Sequence, residues 1–263
     1  MPPVPLADAV LRTERSTWVE PVAHVALEGP VHHPQGLVRA QDLWWISTVD
    51  TDARVGHLLA FDDAGARVHD VALVDGPRFH PGGIDLDGDV VTVPVAEYRP
   101  DSTTALVRVH LPDGAAEVVG RVDDHIGFLA APRPDGTTTA MTWGSRRVLT
   151  LDAEGTVLAT RPNPSHWVDV QDGQRLDHHR VLCTGIGVMA DGDRLVALGG
   201  LGVWDEDAAA WAHELPLATT VASGRILTTN PVWATEDAGD VVLHAAPDDH
   251  DGALTTHRLH TAP

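Results

Sequence analysis

Three histidines stand in similar short phrases along the chain: His33 before Pro34-Gln35-Gly36, His80 before Pro81-Gly82-Gly83, and His125 before Ile126-Gly127. A neutral imidazole carries protons near physiological pH and also ligates metals. Two arrangements therefore suit the trio. Converging on one point, the three rings would bind a divalent ion such as zinc. Held apart, each would hydrogen-bond the backbone of its own turn. No local spacing, of the kind that sets two ligands on one helix face, chooses between them. A set of oxygen donors, Gln35, Asp124, Asp172 and Asn230, would instead suit calcium.

A second group could hold a ligand. Glu97, Tyr98 and Arg99 are consecutive and include the only tyrosine of the chain, and Arg146 follows Trp143 three residues on. An arginine fork fits carboxylate or phosphate, and Trp143 offers a face for a flat ring or a sugar. The other reading of this group is an ion pair between Glu97 and an arginine that ties neighbouring segments. His33, Gln35, Gln171 and Asn230 complete the candidate ligand contacts. For proton transfer, Glu97 with Asp124 or Asp172, and His80 or His125, would suffice. No Gly-x-Ser-x-Gly elbow is present. Cys183 ends an apolar run and reads as a small buried hydrophobe rather than a nucleophile.

These residues lie far apart in sequence, so the elements between them must bring them together. Apolar residues come in runs of four to eight, separated by Asp-Gly turns such as 87–88, 113–114, 135–136 and 191–192, the pattern of short strands in hairpins. Only Leu6 to Arg15 reads as a helix. The strands group with a period of ~45 residues, which points to propeller blades rather than a sandwich. We expect an all-β, five-bladed β-propeller forming a single domain over 1–263, with an N-terminal extension at 1–17 and blades near 32–74, 79–122, 124–162, 165–217 and 224–260. The last blade shows three strands, 226–230, 241–246 and 254–259. The unpartnered segment 22–27, within a closing stretch at 18–30, supplies the fourth and removes an exposed sheet edge. A sixth blade would arise only if the long fourth unit, with its separate run at 194–199, divided in two.

In such a blade, the loop entering the innermost strand and the loop leaving the second lie at one end, because antiparallel strands alternate direction. The entering segments hold His33, His80, His125, Gln171 with Asp172, and Asn230. The leaving segments hold 50–52, 97–99, 143–146, 183–185 and 247–249. The polar, His-rich and Gly-rich segments thus recur on one face, and a pocket at the mouth of the axis is the expected site.

Composition narrows the class. With 38 acidic residues against 18 basic ones, all arginine, the formal net charge is −20. Phosphate neutralisation needs a basic stripe that this chain lacks, so nucleic acid is excluded as a partner. No stretch approaches the roughly 18 apolar residues of a membrane span. The single cysteine precludes an internal disulfide. A cytoplasmic protein is expected, with a secreted one freed of its leader as the alternative.

The phrases HPQG at 33–36, HPGGID at 80–85, PVAEYRPDS at 94–102, DHIG at 124–127, WGSR at 143–146, QD at 171–172, NP at 230–231 and PDD at 247–249 together resemble a family of bacterial and fungal propeller-like proteins of unknown function, many of them secreted. The likeness spans nearly the whole chain and implies the propeller and its rim site, with no activity attached. In the family pattern, a cysteine follows the QD pair near the position of Cys183; Gly173 stands there here, which removes that implied disulfide. Gln35-Gly36-Leu37 followed by Ser47-Thr48 is also similar to the first blade of the five-bladed glutaminyl cyclases, but the acidic residues of their later blades do not line up. The expectation is an enzyme, a hydrolase or lyase, with or without metal assistance, acting on a small polar or anionic substrate in the axial pocket. The alternative is a non-catalytic propeller that binds a sugar, metabolite or protein on the same face.

Overall fold

The computed structural model describes residues 4–111, 113–165 and 167–261. A short helix, α1 (Leu6–Leu11), precedes strand β1 (Trp18–Ala26). Four consecutive units follow. The first contains β2 (His33–Ala40), β3 (Leu43–Asp50), β4 (Val55–Phe61) and β5 (Arg67–Leu73). The second contains β6 (His80–Pro81), β7 (Leu86–Asp87), β8 (Val90–Ala96), β9 (Thr104–His110) and β10 (Ala115–Val122). The third is built from β11 (Ile126–Leu129), β12 (Thr138–Thr142), β13 (Arg147–Leu151) and β14 (Val157–Pro162), and the fourth from β15 (Asp169–Arg175), β16 (Arg180–Asp191), β17 (Arg194–Asp205) and β18 (Ala210–Leu217). The chain ends with β19 (Val232–Asp237), β20 (Asp240–Ala245) and β21 (Ala253–His260). Each sheet is antiparallel and in sequence order, except the last. There β1 pairs with β21 from Trp18 opposite His260 to Ala26 opposite Ala253, which closes a five-bladed ring with a strand from each end of the chain.

The burial pattern shows why these residues form blades. Inner strand β2 is almost wholly buried, whereas outer strand β5 alternates along its length, as expected for a strand covered on both faces against one half-exposed. The buried apolar side chains divide into five clusters, one per junction between neighbouring blades. Between the first and second blades, for example, Val38, Trp45 and Leu58 meet Val91, Val93 and Val107. Helix α1 places Ala9 and Val10 in the cluster that joins the fourth and fifth blades. No helix among the described residues is long and apolar enough to cross a membrane.

Several expected elements shift. The helix stops at Leu11, and the closing strand begins at Trp18 rather than Val22. Residues 226–230 are not the inner strand of the last blade. They cross the fourth blade, where the Thr228 hydroxyl donates to the Gly185 carbonyl and accepts from the Gly200 amide, and the inner strand starts only after Pro231. Residues 169–172 lie within an inner strand rather than ahead of it, and 183–185 lie within β16. The run at 194–199 is the returning arm of the long β16–β17 hairpin, so no sixth blade forms.

The inner edge of the second blade is broken where a continuous strand was expected. Between β6 and β7 the chain turns to the axis, and Gly83 pairs in parallel with the third blade, its amide donating to Gly127 and its carbonyl accepting from Leu129. A Cβ on Gly83 would stand 2.5 Å from the Gln171 carbonyl oxygen, so glycine is needed for this approach. Two buried carboxylates then tie the blades together. Asp172 accepts the amides of Leu37 and Ile84, each at 3.0 Å. Asp85 accepts those of Ala131, Arg175 and Leu86.

Candidate functional site

The first residues of β2 and β6, the residue before β11, the first residues of β15 and the loops after β8 and β12 all open on one end of the ring. They enclose a cavity of about 200 Å³ lined by His33, Gln35, His80, Tyr98, His125, Trp143, Asp169 and Gln171, among others. An adjoining cleft of about 460 Å³ shares His33, Gly144, Asp169 and Gln171 and adds Trp167, Arg225 and Asn230. Seven of the candidate residues thus line one cavity, and an eighth, Asn230, lines its extension.

His80, His125, Tyr98 and Trp143 form one wall. Ring centroids lie 4.5 Å apart for His80 and Tyr98, 5.3 Å for His80 and His125, and 4.6 Å for His125 and Trp143, mostly edge to face, the preferred geometry for neighbouring rings. His125 is held by a backbone carbonyl and a hydroxyl from the segment after β8. Its Nδ1 lies 2.8 Å from the Arg99 carbonyl oxygen and 3.0 Å from the Ser102 hydroxyl. A carbonyl only accepts, so Nδ1 carries the proton and Nε2 is left with its lone pair. Burial lowers the His125 pKa, against the raising effect of the Arg99 carbonyl.

His80 is the complement. Its Nδ1 is buried without a hydrogen-bond partner. A stranded N–H is rarer than a bare lone pair, which assigns the His80 proton to Nε2. Burial, then the nearby His125 and His33, holds its pKa well below the ordinary histidine value. The two adjacent imidazoles are therefore both neutral, one keeping an N–H and the other a lone pair on the nitrogen without a protein partner.

His33 is oriented by a carboxylate: its Nδ1 lies 2.8 Å from Asp249 Oδ1. Asp249 also accepts from Arg225 at 2.7 Å and from the Asn230 amide at 3.0 Å. Burial alone would raise the Asp249 pKa, but these donors outweigh it and hold the group below the usual carboxylate range. Across the cavity, the tight turn at Trp143–Ser145 places Gly144 and Ser145 in the left-handed region, with φ of 66° and 50°. Ser145 Oγ then accepts the Val170 amide at 2.6 Å and meets Asp169 Oδ1 at 3.1 Å. Burial raises the Asp169 pKa, opposed by the Ser145 hydroxyl.

The remaining candidates stand elsewhere. Asp172 lies under the cavity with both oxygens engaged by backbone amides, and burial raises its pKa well above the ordinary value. Glu97 pairs with Arg99 at 2.9 Å and with Thr103, and Arg99 is exposed. Asp124 is taken up by Arg147 and Arg146 and by the His125 amide. The expected arginine clamp therefore does not line the cavity, because each arginine has a carboxylate within its own blade. The expected calcium set does not meet: Asp172 faces amides, Asp124 faces arginines, and Asn230 donates to Asp249 and to the Pro247 carbonyl.

The three histidines share the cavity without bringing one nitrogen each within 4.8 Å of the others. Among the described residues, Asp177, His178 and His179 do bring their ligand atoms that close, on the turn at the opposite end of β15. His33 and His125 turn their Nδ1 atoms away from the trio, toward Asp249 and Arg99. Residues that the sequence reading did not select are Asp169, Asp249, Arg225, Ser102 and Ser145. Asp169, Ser145 and Asp249 fall in rim segments that it did select.

No curated protein matches the chain. Among solved structures, similar folds include a chain of hydrazine synthase from Kuenenia stuttgartiensis, with 13% identity over 85% of this chain and a TM-score of 0.47; this chain spans 58% of that one. A PQQ-bound aldose sugar dehydrogenase from Streptomyces coelicolor is similar at 12% identity over 94% of this chain and all of its own, with a TM-score of 0.55. At such identities the likeness concerns the fold. Residues 6–259 match a family defined on sequence, and on that match the chain belongs to the family of unknown function DUF6454.

Proposed function

We propose that this chain is an enzyme that binds a small polar molecule in the axial cavity and moves a proton on it, as a hydrolase or lyase does. One observation carries the reading: two adjacent imidazoles, with His125 Nδ1 on the Arg99 carbonyl and His80 Nδ1 buried without a partner, an arrangement that assigns them opposite tautomers. His125 Nε2 is the base and His80 Nε2–H a neutral hydrogen-bond donor that stabilises the charge developing on the substrate, and their rings lie 5.3 Å apart between centroids. A base beside a fixed neutral donor suits removal of a proton from a group whose new charge the donor then stabilises, and the proton gained by His125 is available to return to the product. His33, oriented by Asp249, and Asp169 supply further polar contacts to the same molecule. The open aromatic edge, with Tyr98 45% exposed, favours a second reading, a non-catalytic binding rim.

Ring ¹⁵N spectra at neutral pH, followed by turnover assays on hydrolase and lyase substrates, separate the two. The first reading expects a protonated Nδ1 on His125, a protonated Nε2 on His80, and turnover abolished in His80→Ala and His125→Ala but kept in Arg99→Ala, whose carbonyl survives the substitution. Charged imidazoles at neutral pH, or turnover that persists in both histidine variants, would overturn it. Ligand binding without any turnover would favour the rim.

A further inference from the structure

We propose that the ligand of this cavity is an organic cation, an amine or quaternary ammonium compound, with its charged head against Asp169 and the aromatic wall; the proposal rests on the cavity being the ligand site. The charges around the cavity argue for it. No arginine lines the 200 Å³ cavity, and the chain has no lysine. The arginine of the adjoining cleft, Arg225, is held by Asp249 at 2.7 Å. Arg146 reaches His125 only from outside the cavity and faces Asp124. An anion would therefore meet no free positive charge inside, and it would meet the Asp169 carboxylate.

Asp169 itself is the second observation. It is half-buried, forms no ion pair among the described residues, and its single side-chain partner is the Ser145 hydroxyl. A desolvated carboxylate without a cationic partner is costly, and a bound ammonium group would supply that partner. The aromatic wall suits the same guest. The faces of Tyr98 and Trp143 carry negative quadrupole density that attracts cations, and their centroids lie 6.2 Å apart. His80 and His125, kept neutral by burial, add no positive charge to repel it. The net charge of −20 adds a long-range attraction for cations. Gln35 and Gln171 remain to bind a polar tail through their amides.

The test is titration of the whole chain with choline, its uncharged carbon isostere, glucose and acetate, followed by calorimetry and by the imidazole resonances of His80 and His125. We expect choline to bind ~10-fold more tightly than the isostere, acetate not to bind, and Asp169→Asn to erase most of that ratio. Because Asp169 also touches Ser145, a second variant guards against misfolding. Tyr98→Ala, at an exposed position, should reduce the ratio ~2–5-fold with an unchanged melting temperature. Equal affinity for the isostere, or tighter binding of glucose or acetate at the same resonances, would overturn the cation while leaving the cavity as a ligand site. If none of the four probes perturbs these resonances, the cation and the ligand site fall together.

Discussion

Asp172 is buried at the axis, and its replacement tests whether the ring is held together where the structure indicates. Its two carboxylate oxygens accept the amides of Leu37 in the first blade and Ile84 in the second, while its own backbone belongs to the fourth. Asp172→Ala leaves two buried N–H groups without partners, each costing ~1–3 kcal/mol. Relief of the carboxylate's own burial offsets part of this, so the expected loss is ~2–5 kcal/mol. Asp172→Asn sheds the same charge at nearly the same volume. Its amide oxygen keeps one bond while its NH₂ faces the other N–H, so the loss should be ~1–3 kcal/mol.

Urea unfolding reads these losses as shifts in midpoint at constant slope, and in a chain of this size the alanine variant should melt ~5–15 °C lower. The two variants separate packing from chemistry. Loss of a general base would abolish turnover while leaving the midpoint alone; loss of a tie between blades lowers the midpoint, more in alanine than in asparagine. Wild-type stability in both variants would refute the reasoning, and equal losses would show that the amides are satisfied in some other way.

Two further outcomes test the same axis. Gly83→Ala should destabilise by ~3 kcal/mol or more, since its Cβ would meet the Gln171 carbonyl oxygen at 2.5 Å and the Asp172 Cα at 2.9 Å, both backbone atoms that cannot rotate away; thermal melting checks this against Gly127→Ala, whose Cβ would meet nothing closer than 3.7 Å. Burial pushes the Asp85 carboxyl up from 3.8 to about 6, against the lowering effect of its amide bonds to Ala131, Arg175 and Leu86. The folded chain then holds a proton that the unfolded chain releases, so this group's contribution to stability declines as pH rises from about 4 to about 6, by ~3 kcal/mol in all. A ¹³C titration of the Asp85 carboxyl should show a midpoint near 6, and a midpoint near the ordinary 3.8 would contradict it.

The blade repeat was legible because it rests on local signals: Asp-Gly turns, apolar runs of strand length, and an orphan segment near the N-terminus to close the ring. From that alone, strand direction places His33, His80, His125, Tyr98, Trp143 and Gln171 at one opening, and the cavity contains them all. What failed was any inference that needed to know where a strand stops. Ile226 and Leu227 are as apolar as a strand, but they pack across another blade, and the paired residues begin only beyond Pro231.

Roles were harder to read than positions, for a physical reason. An arginine beside a tyrosine suggests a guanidinium that binds ligand, but the part of Arg99 that bears on the site is its carbonyl, which sets the tautomer of His125. An aspartate next to a glutamine at the rim suggests a catalytic acid, but Asp172 points under the floor toward two amides, while Asp169, three residues earlier in the same strand, lines the cavity. The pairing with β16 shifts register between Val170 and Asp172, a bulge that leaves Gln171 unpaired beside Asp169 at the cavity and turns Asp172 beneath it. The sequence alone shows neither where this strand begins nor that it bulges at Gln171, so it could not separate Asp169 from Asp172. The assignment of chemistry along the inner strand thus turns on the register of its first residue, which is set by pairing with β16 and not by the local run of side chains.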